Sequence, residues 1–224
     1  MKYKNVKEGV FLSRPNRFIA KILIEGKEET VHVKNTGRCR ELLIPGARVF
    51  VEETDNINRK TKFDLISVYK GDVLYNIDSQ APNKVFGEYI EKLFCNVKLI
   101  KPECKYKNSR FDFYVEYQDK KAFIEVKGVT LEKHGVMLFP DAPTERGVKH
   151  INELCECVKD GYEAYAVFVI AAEAGEYFTP NAETHKEFAK TLKKAKDCRV
   201  KIIALNCVVD KEGISIKDNI EVRV

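Results

Sequence analysis

Nowhere do the 224 residues contain an apolar run long enough to span a bilayer, and Met1-Lys2-Tyr3-Lys4-Asn5 is followed by no apolar signal-peptide core. No membrane partner is expected, and the sequence predicts a soluble, cytoplasmic protein. Long blocks of one charge are also missing. Acids and bases alternate through a chain that is 33% charged, so disordered tails are not expected. Internal repeats and low-complexity tracts are lacking too, which sets aside solenoids and linker-rich chains. The seven cysteines, at positions 39, 95, 104, 155, 157, 198 and 207, are odd in number and scattered, so reduced packing thiols are expected in place of a disulfide framework. Cys155 and Cys157 stand too close on a helical pattern to face one zinc ion together, and no structural zinc is predicted.

A hydrophobic fraction of 44% supplies a core for each of two modest units. The net charge is +5, and its excess is N-terminal: 15 Lys and Arg stand against 11 Asp and Glu before Pro82, and 24 against 23 from there on. Such a balance assists the approach of a polyanion without identifying one.

Residues 16–78 read as five short strands, at 17–24, 29–33, 47–52, 63–69 and 73–77, with alternation clearest where Val49 and Val51 flank Phe50. Turn residues separate them at the spacing of a small barrel, and an OB-like barrel is predicted. Between the second and third strands, Asn35 to Gly46 reads as a tight excursion closed by Pro45-Gly46. It offers Arg38 and Arg40 to phosphate, a solvated turn being the plainer alternative.

Ala81-Pro82-Asn83 ends the strand pattern. Val85, Tyr89, Ile90, Leu93 and Phe94 then recur at helical spacing behind a proline suited to a first turn. Two domains are therefore expected, 1–80 and 81–224. Strands follow at 97–104, 111–117 and 121–127, with a hairpin return at 136–139. Thr144 reads as the N-cap of a helix marked by Val148, Ile151, Cys155 and Val158 and ended by Gly161. A strand buried on both faces is expected at 164–172. The capping-box pattern Thr184-His185-Lys186-Glu187 starts a last helix, and 201–209 reads as the final core strand. The fold class is mixed α and β with one central sheet in the second unit.

Strand alternation puts Phe111, Phe113, Val115 and Tyr117 on one face and Asp112 on the other. In the next strand Ala122, Ile124 and Val126 oppose Glu125 and Lys127. If the two strands pair, Asp112 joins the Glu125, Lys127 set. Two converging carboxylates suit Mg²⁺ or Mn²⁺, which keep water and phosphate oxygens in their other positions. Such an ion acidifies a bound water and neutralises charge at a reacting phosphate, and Lys127 is placed to hold that water or the leaving charge. Taken alone, an E-x-K on a strand is also an ordinary surface ion pair.

The ordered set resembles the PD-(D/E)xK nucleases. Ser109-Arg110-Phe111-Asp112-Phe113, Glu125-Val126-Lys127-Gly128-Val129-Thr130-Leu131 and Leu138-Phe139-Pro140-Asp141-Ala142-Pro143-Thr144-Glu145-Arg146-Gly147-Val148-Lys149-His150 resemble, more closely still, the sugar fermentation stimulation protein A (SfsA) family. Asn35-Thr36-Gly37, Pro45-Gly46-Ala47-Arg48-Val49, Asn58-Arg59-Lys60 and Pro82-Asn83 extend the match over nearly the whole chain. Arg38-Cys39-Arg40 departs from the small or apolar residues expected after Asn35-Thr36-Gly37. His185-Lys186 replaces a frequent Asp-Pro.

The resemblance implies an OB-like barrel followed by a PD-(D/E)xK nuclease-like α/β domain with a central mixed sheet, DNA binding, and a family name taken from a sugar-metabolism phenotype. It makes Asp112, Glu125 and Lys127 the candidate catalytic residues, with Mg²⁺ or Mn²⁺ held by Asp112 and Glu125. Glu88 is added as a metal or water ligand, because the helix in this position of related nucleases often supplies a further carboxylate. Arg146 and His150, four residues apart with Lys149 beside them, are expected to meet phosphate, as are Arg38 and Arg40. Asp141 and Thr144 stand as supporting residues at the entrance to a helix, where backbone N–H groups attract anions. The function expected is a DNA-binding, metal-dependent nuclease, with a non-catalytic DNA-binding or regulatory protein as the alternative. RNA remains an open substrate, and the oligomeric state, a dimer included, is not specified by these residues.

Overall fold

A computed structural model describes residues 1–35, 37–56 and 58–224. Thr36 of the Asn35-Thr36-Gly37 motif lies outside the described residues. The first sheet comprises β1 (Val6–Ser13), β2 (Ile19–Ile24), β3 (Lys27–Val33), β4 (Arg48–Glu53), β5 (Phe63–Lys70) and β6 (Val73–Asn76), in the order β3-β2-β1-β4-β5-β6. A parallel contact between β3 and β5, His32 opposite Asp64 and Val33 opposite Leu65, closes β1–β5 into a ring. This is an OB-like barrel. Phe11, Ile22, Val31, Val49 and Leu65 fill it, and Cys39, Leu42 and Leu43 of the excursion between β3 and β4 seal one end.

The ring differs from the sequence expectation at both ends. Its first strand, β1, lies before the predicted strands, and β6, expected as the fifth barrel strand, extends the sheet beside β5 outside the closure. Val6-Lys7-Glu8-Gly9 hides the alternation of β1. Gly9 is there because a Cβ would sit 2.6 Å from Ile22 Cγ2 and 2.9 Å from the Leu23 carbonyl, where β1 and β2 press together.

After the barrel come α1 (Ala81–Leu93), β7 (Val97–Tyr106), β8 (Ser109–Tyr117), β9 (Lys120–Val129), β10 (Leu131–Lys133), β11 (Val136–Phe139), α2 (Glu145–Lys159), β12 (Glu163–Ile170), β13 (Tyr177–Pro180), α3 (Lys186–Asp197), β14 (Lys201–Asp210) and β15 (Gly213–Val222). The sheet order is β10-β11-β13-β15-β14-β12-β9-β8-β7. Its centre, β9-β12-β14, is parallel, and β7-β8-β9 and β14-β15 are antiparallel. One face is covered by α1 through Val85, Phe86 and Ile90, the other by α2 and α3 through Ile151, Leu154, Phe188 and Leu192. Burial from both sides explains why Ala164 to Ile170 is an unbroken apolar run.

Thr144 caps α2 as its sequence position predicts, its hydroxyl accepting the Gly147 N–H at 3.1 Å. Thr184 does not cap α3. Its hydroxyl accepts from the Asn181 side-chain amide at 2.7 Å, so the helix starts one residue later, with His185 at the cap. The strand at 201–209 is not the last: β15 returns antiparallel to it, its polar residues 217–219 and 221 masking the pattern.

Candidate active site

Phe113 pairs with Ile124 at the end of the β8–β9 ladder. Continuing the register would set Asp112 directly across from Glu125, and like charges facing each other across a strand pair are destabilising. The ladder stops one pair short of that. The Val126 N–H, which has no strand partner on this side, donates to Asp112 Oδ2 at 2.7 Å, while the Asn83 side-chain amide donates to Oδ1 at 2.7 Å. Phe111, beyond the divergence, packs with the α2 side, whereas Phe113, Val115 and Tyr117 pack beneath α1. The expected single apolar face of β8 is thus split where the strands part.

On the far side of β9, Glu125, Val126 and Lys127 are held in register by Ala166, Val167 and Phe168 of β12. Glu125 is 2% exposed. Its Oε1 accepts hydrogen bonds from Lys127 Nζ and from the ring of His150. Arg146 Nε lies 3.4 Å from His150 Nε2. An arginine can only donate, so Nε2 accepts and Nδ1 carries the proton given to Glu125. Glu125 Oε2 is buried and has no hydrogen-bond partner among the described residues. Unmet buried carboxylate oxygens are costly, and Oε2, on a residue whose charge acts on Asp112, is an available ligand atom.

The two carboxyls are driven in opposite directions. Burial, followed by the neighbouring Glu125 charge, raises Asp112 above the usual aspartate range against the opposing pull of the Val126 N–H, Lys127 and Asn83. Burial works the same way on Glu125, but the hydrogen bond from His150 and the charge and hydrogen bond of Lys127 outweigh it and hold Glu125 below the usual glutamate range.

Asp112, Glu125 and Lys127 are therefore brought together. Glu88 is not part of that group: its exposed carboxylate is 2.6 Å from the Met1 amine, which also donates to the carbonyl of Ile214 on β15. The α1 residue that touches Asp112 is Asn83, five residues earlier. Its position in Pro82-Asn83 was visible in the sequence, but its partner is 29 residues away and no local signal announces it. His150 is 5% exposed and donates to Glu125, while still lining the depression that Arg146 and Lys149 share. Arg146 and Lys149 remain exposed and, with Asn108, Ser109, Arg110, Glu145 and His150, line a depression of ≈ 560 Å³. The Ser109 hydroxyl beside them is buried without a partner among the described residues. Asp141 lines a different cavity of ≈ 230 Å³ between barrel and sheet, whose walls include none of Asp112, Glu125 and Lys127. Arg38 and Arg40 share a depression of ≈ 400 Å³ on the barrel with Arg14 and Arg17, neither of which the motifs singled out.

A closed five-strand barrel joined to a sheet whose parting strands carry an Asp and a Glu-x-Lys defines an OB barrel on a nuclease-like domain. Residues 12–77 match the family model described as the SfsA N-terminal OB domain, and residues 80–213 match that of the sugar fermentation stimulation protein RE domain. The chain belongs to the SfsA family. It is 60% identical to a sugar fermentation stimulation protein homolog of Clostridium beijerinckii, over 99% of each chain, and 57% identical to one of Ruminiclostridium cellulolyticum, over 100% of each. A solved structure of Pyrococcus furiosus SfsA in complex with Ca²⁺ superposes with a TM-score of 0.90 at 29% identity, covering 100% of this chain and 98% of that one.

Proposed function

We propose that this chain is a divalent-metal-dependent nuclease that hydrolyses phosphodiester bonds in DNA. The observation that carries this reading is the convergence of Asp112, Glu125 and Lys127, with Glu125 Oε2 buried and unpartnered. A purely structural ion pair has no use for a second buried carboxylate beside it, and the unmet oxygen fits a hard cation that takes few carboxylates and fills its other positions with water or phosphate oxygens. Asp112 and Glu125 are the residues that would hold Mg²⁺ or Mn²⁺. The Ca²⁺ in the Pyrococcus furiosus relative's structure, an ion that also prefers oxygen ligands, supports a divalent ion in this family.

When bound, the ion would supply an acidified water and charge neutralisation at the phosphate. The Lys127 ammonium, next to Glu125, orients that water or stabilises the leaving oxygen. His150 keeps Glu125 ionised and aimed by donating to Oε1, and Arg146 and Lys149 present positive charge to the phosphate from the start of α2. The OB-like barrel holds the polymer, and RNA is the competing polymer because such barrels accept strands of either kind.

A non-catalytic DNA-binding or regulatory role has one observation in its favour. Both Asp112 oxygens already accept hydrogen bonds, and among the described residues no group of three His, Cys, Asp or Glu side chains is arranged to hold a metal. Incubating purified protein with end-labelled single- and double-stranded DNA and RNA in Mg²⁺, Mn²⁺ or EDTA, beside an Asp112→Ala, Glu125→Ala double variant, decides between them. Metal-dependent cutting that disappears in the variant is the expected result. Salt-sensitive DNA binding with no cutting of any substrate supports the binding protein.

A further inference from the structure

Arg48, Arg59, Arg110 and Arg223 each meet a carboxylate. Arg14, Arg17, Arg38 and Arg40 meet none among the described residues, yet all four line one depression of ≈ 400 Å³ with Asn16, Gly37, Leu43 and Ala142. None of the four is ion-paired among the described residues, although the Asp141 carboxylate lies beside Gly37, and like-charged guanidiniums gathered in this way favour an anion in the site.

The depression is built by its own residues. Arg14 donates to the carbonyls of Gly37 at 2.8 Å, Arg38 at 2.8 Å, Arg17 at 2.9 Å and Asn35 at 2.6 Å, so one half-buried side chain ties together the two segments that carry the exposed arginines. Asn16 Oδ1 accepts the N–H groups of Phe18 at 2.9 Å and Ile19 at 3.1 Å, setting the turn that presents Arg17 and Phe18. Phe18, which follows Arg17 in the chain and stands outside the lining of the depression, is 54% exposed, an apolar ring left in water. Ala142, also in the lining, comes from the second domain, two residues before the Thr144 cap of the helix that carries Arg146 and His150.

We propose that this cup anchors an unpaired nucleic-acid strand, with phosphates on Arg17, Arg38 and Arg40 and a base stacked on Phe18, and leads it past Ala142 toward Glu125. The inference rests on the nucleic-acid reading above and adds the form of the polymer. An arginine cluster alone would take any phosphate backbone. An exposed ring selects an unpaired base, because the π-face of a base within a duplex is already stacked.

Fluorescence anisotropy with a labelled oligothymidylate and a duplex of equal length, in EDTA so that nothing is cut, tests it. The expected result is tighter binding of the single strand. Arg38→Ala, Arg40→Ala should weaken it by roughly tenfold and flatten the salt dependence by a log–log slope of about 1.4, two single-strand phosphate contacts. Phe18→Ala should weaken the single strand about fivefold or more and leave the duplex unchanged. All three side chains are exposed, so thermal unfolding followed by circular dichroism should match the wild type. Equal or tighter duplex binding, an unchanged arginine variant, or equal loss for both polymers in Phe18→Ala would overturn the proposal. If binding maps to the cup and the wild type cuts nothing in Mg²⁺ or Mn²⁺, the nuclease reading fails and the anchor stands. Cutting with affinities untouched by the cup substitutions rejects the anchor alone.

Discussion

Asp112 is held by Asn83 and the Val126 N–H, and yet burial and the Glu125 charge raise its carboxyl. The ionised form is therefore less favourable in the folded protein than in the unfolded chain. The sign follows: Asp112 imposes a stability cost that sets in as pH rises through its unfolded value and is complete above its folded one. Asp112→Asn keeps an acceptor for Val126, and a flipped Asn83 amide can accept from the new one. We predict that this variant is more stable than the wild type by about 1 kcal/mol in metal-free urea unfolding at neutral pH. Glu125 has the opposite sign, because its folded value is lowered: its stabilisation is present above the unfolded glutamate value and is lost as pH falls through the folded one. Glu125→Gln should accordingly be less stable than the wild type at neutral pH, and the gap should close on acidification below the ordinary glutamate range. A gap constant across that range in paired urea curves would contradict the assignment. Alternation put Asp112, Glu125 and Lys127 on one side of two apolar strands, and the family resemblance marked them as a candidate site. Asn83 and the true partner of Glu88 were not legible, because each depends on how α1 crosses the sheet.

At the scale of elements, the site depends on where β8 and β9 part and on α1 lying close above them. Gly128 makes that approach: a Cβ there would stand 2.7 Å from Pro82 Cγ, in a ring that cannot rotate away. Gly128→Ala should destabilise the protein by about 1–3 kcal/mol and, by shifting the first turn of α1, loosen the Asn83 contact with Asp112. Urea unfolding gives the first effect. A fall in cleavage larger than the loss of folded protein would give the second. The unbroken apolar run of β12 and the helical periodicity of α2 could be read directly from the chain. β1 and β15 could not, because charged residues and Gly9 interrupt one and the polar Lys217, Asp218, Asn219 and Glu221 populate the other. The cap of α3 was misplaced because the Asn181 side-chain amide, not the Glu187 N–H, donates to the Thr184 hydroxyl.

Over the whole molecule, barrel and sheet share structure as well as a chain. Ala172, just after β12, is buried in the barrel core, and the Asn76 N–H donates to the Ala171 carbonyl at 2.8 Å. Tyr3 donates its N–H to Glu212 at 2.7 Å and its hydroxyl to Asp78 at 3.3 Å, and Lys70 meets Glu132 at 2.6 Å. These contacts couple the two cores, so calorimetry should record one cooperative transition; two separated transitions would show that the units melt independently. The same junction sets the arginine cup of the barrel beside the loop that enters α2, an arrangement visible only once both domains are folded, since Arg14 and Ala142 are 128 residues apart. Single-turnover cleavage of an end-labelled DNA strand in Mn²⁺, by wild type and by folded Glu125→Gln, tests whether Asp112 and Glu125 form a metal-dependent hydrolytic site. Expected is cutting by the wild type that EDTA abolishes and that the variant reduces by roughly a thousandfold or more. Equal cutting by both proteins, or none by the wild type in either Mg²⁺ or Mn²⁺, would contradict it.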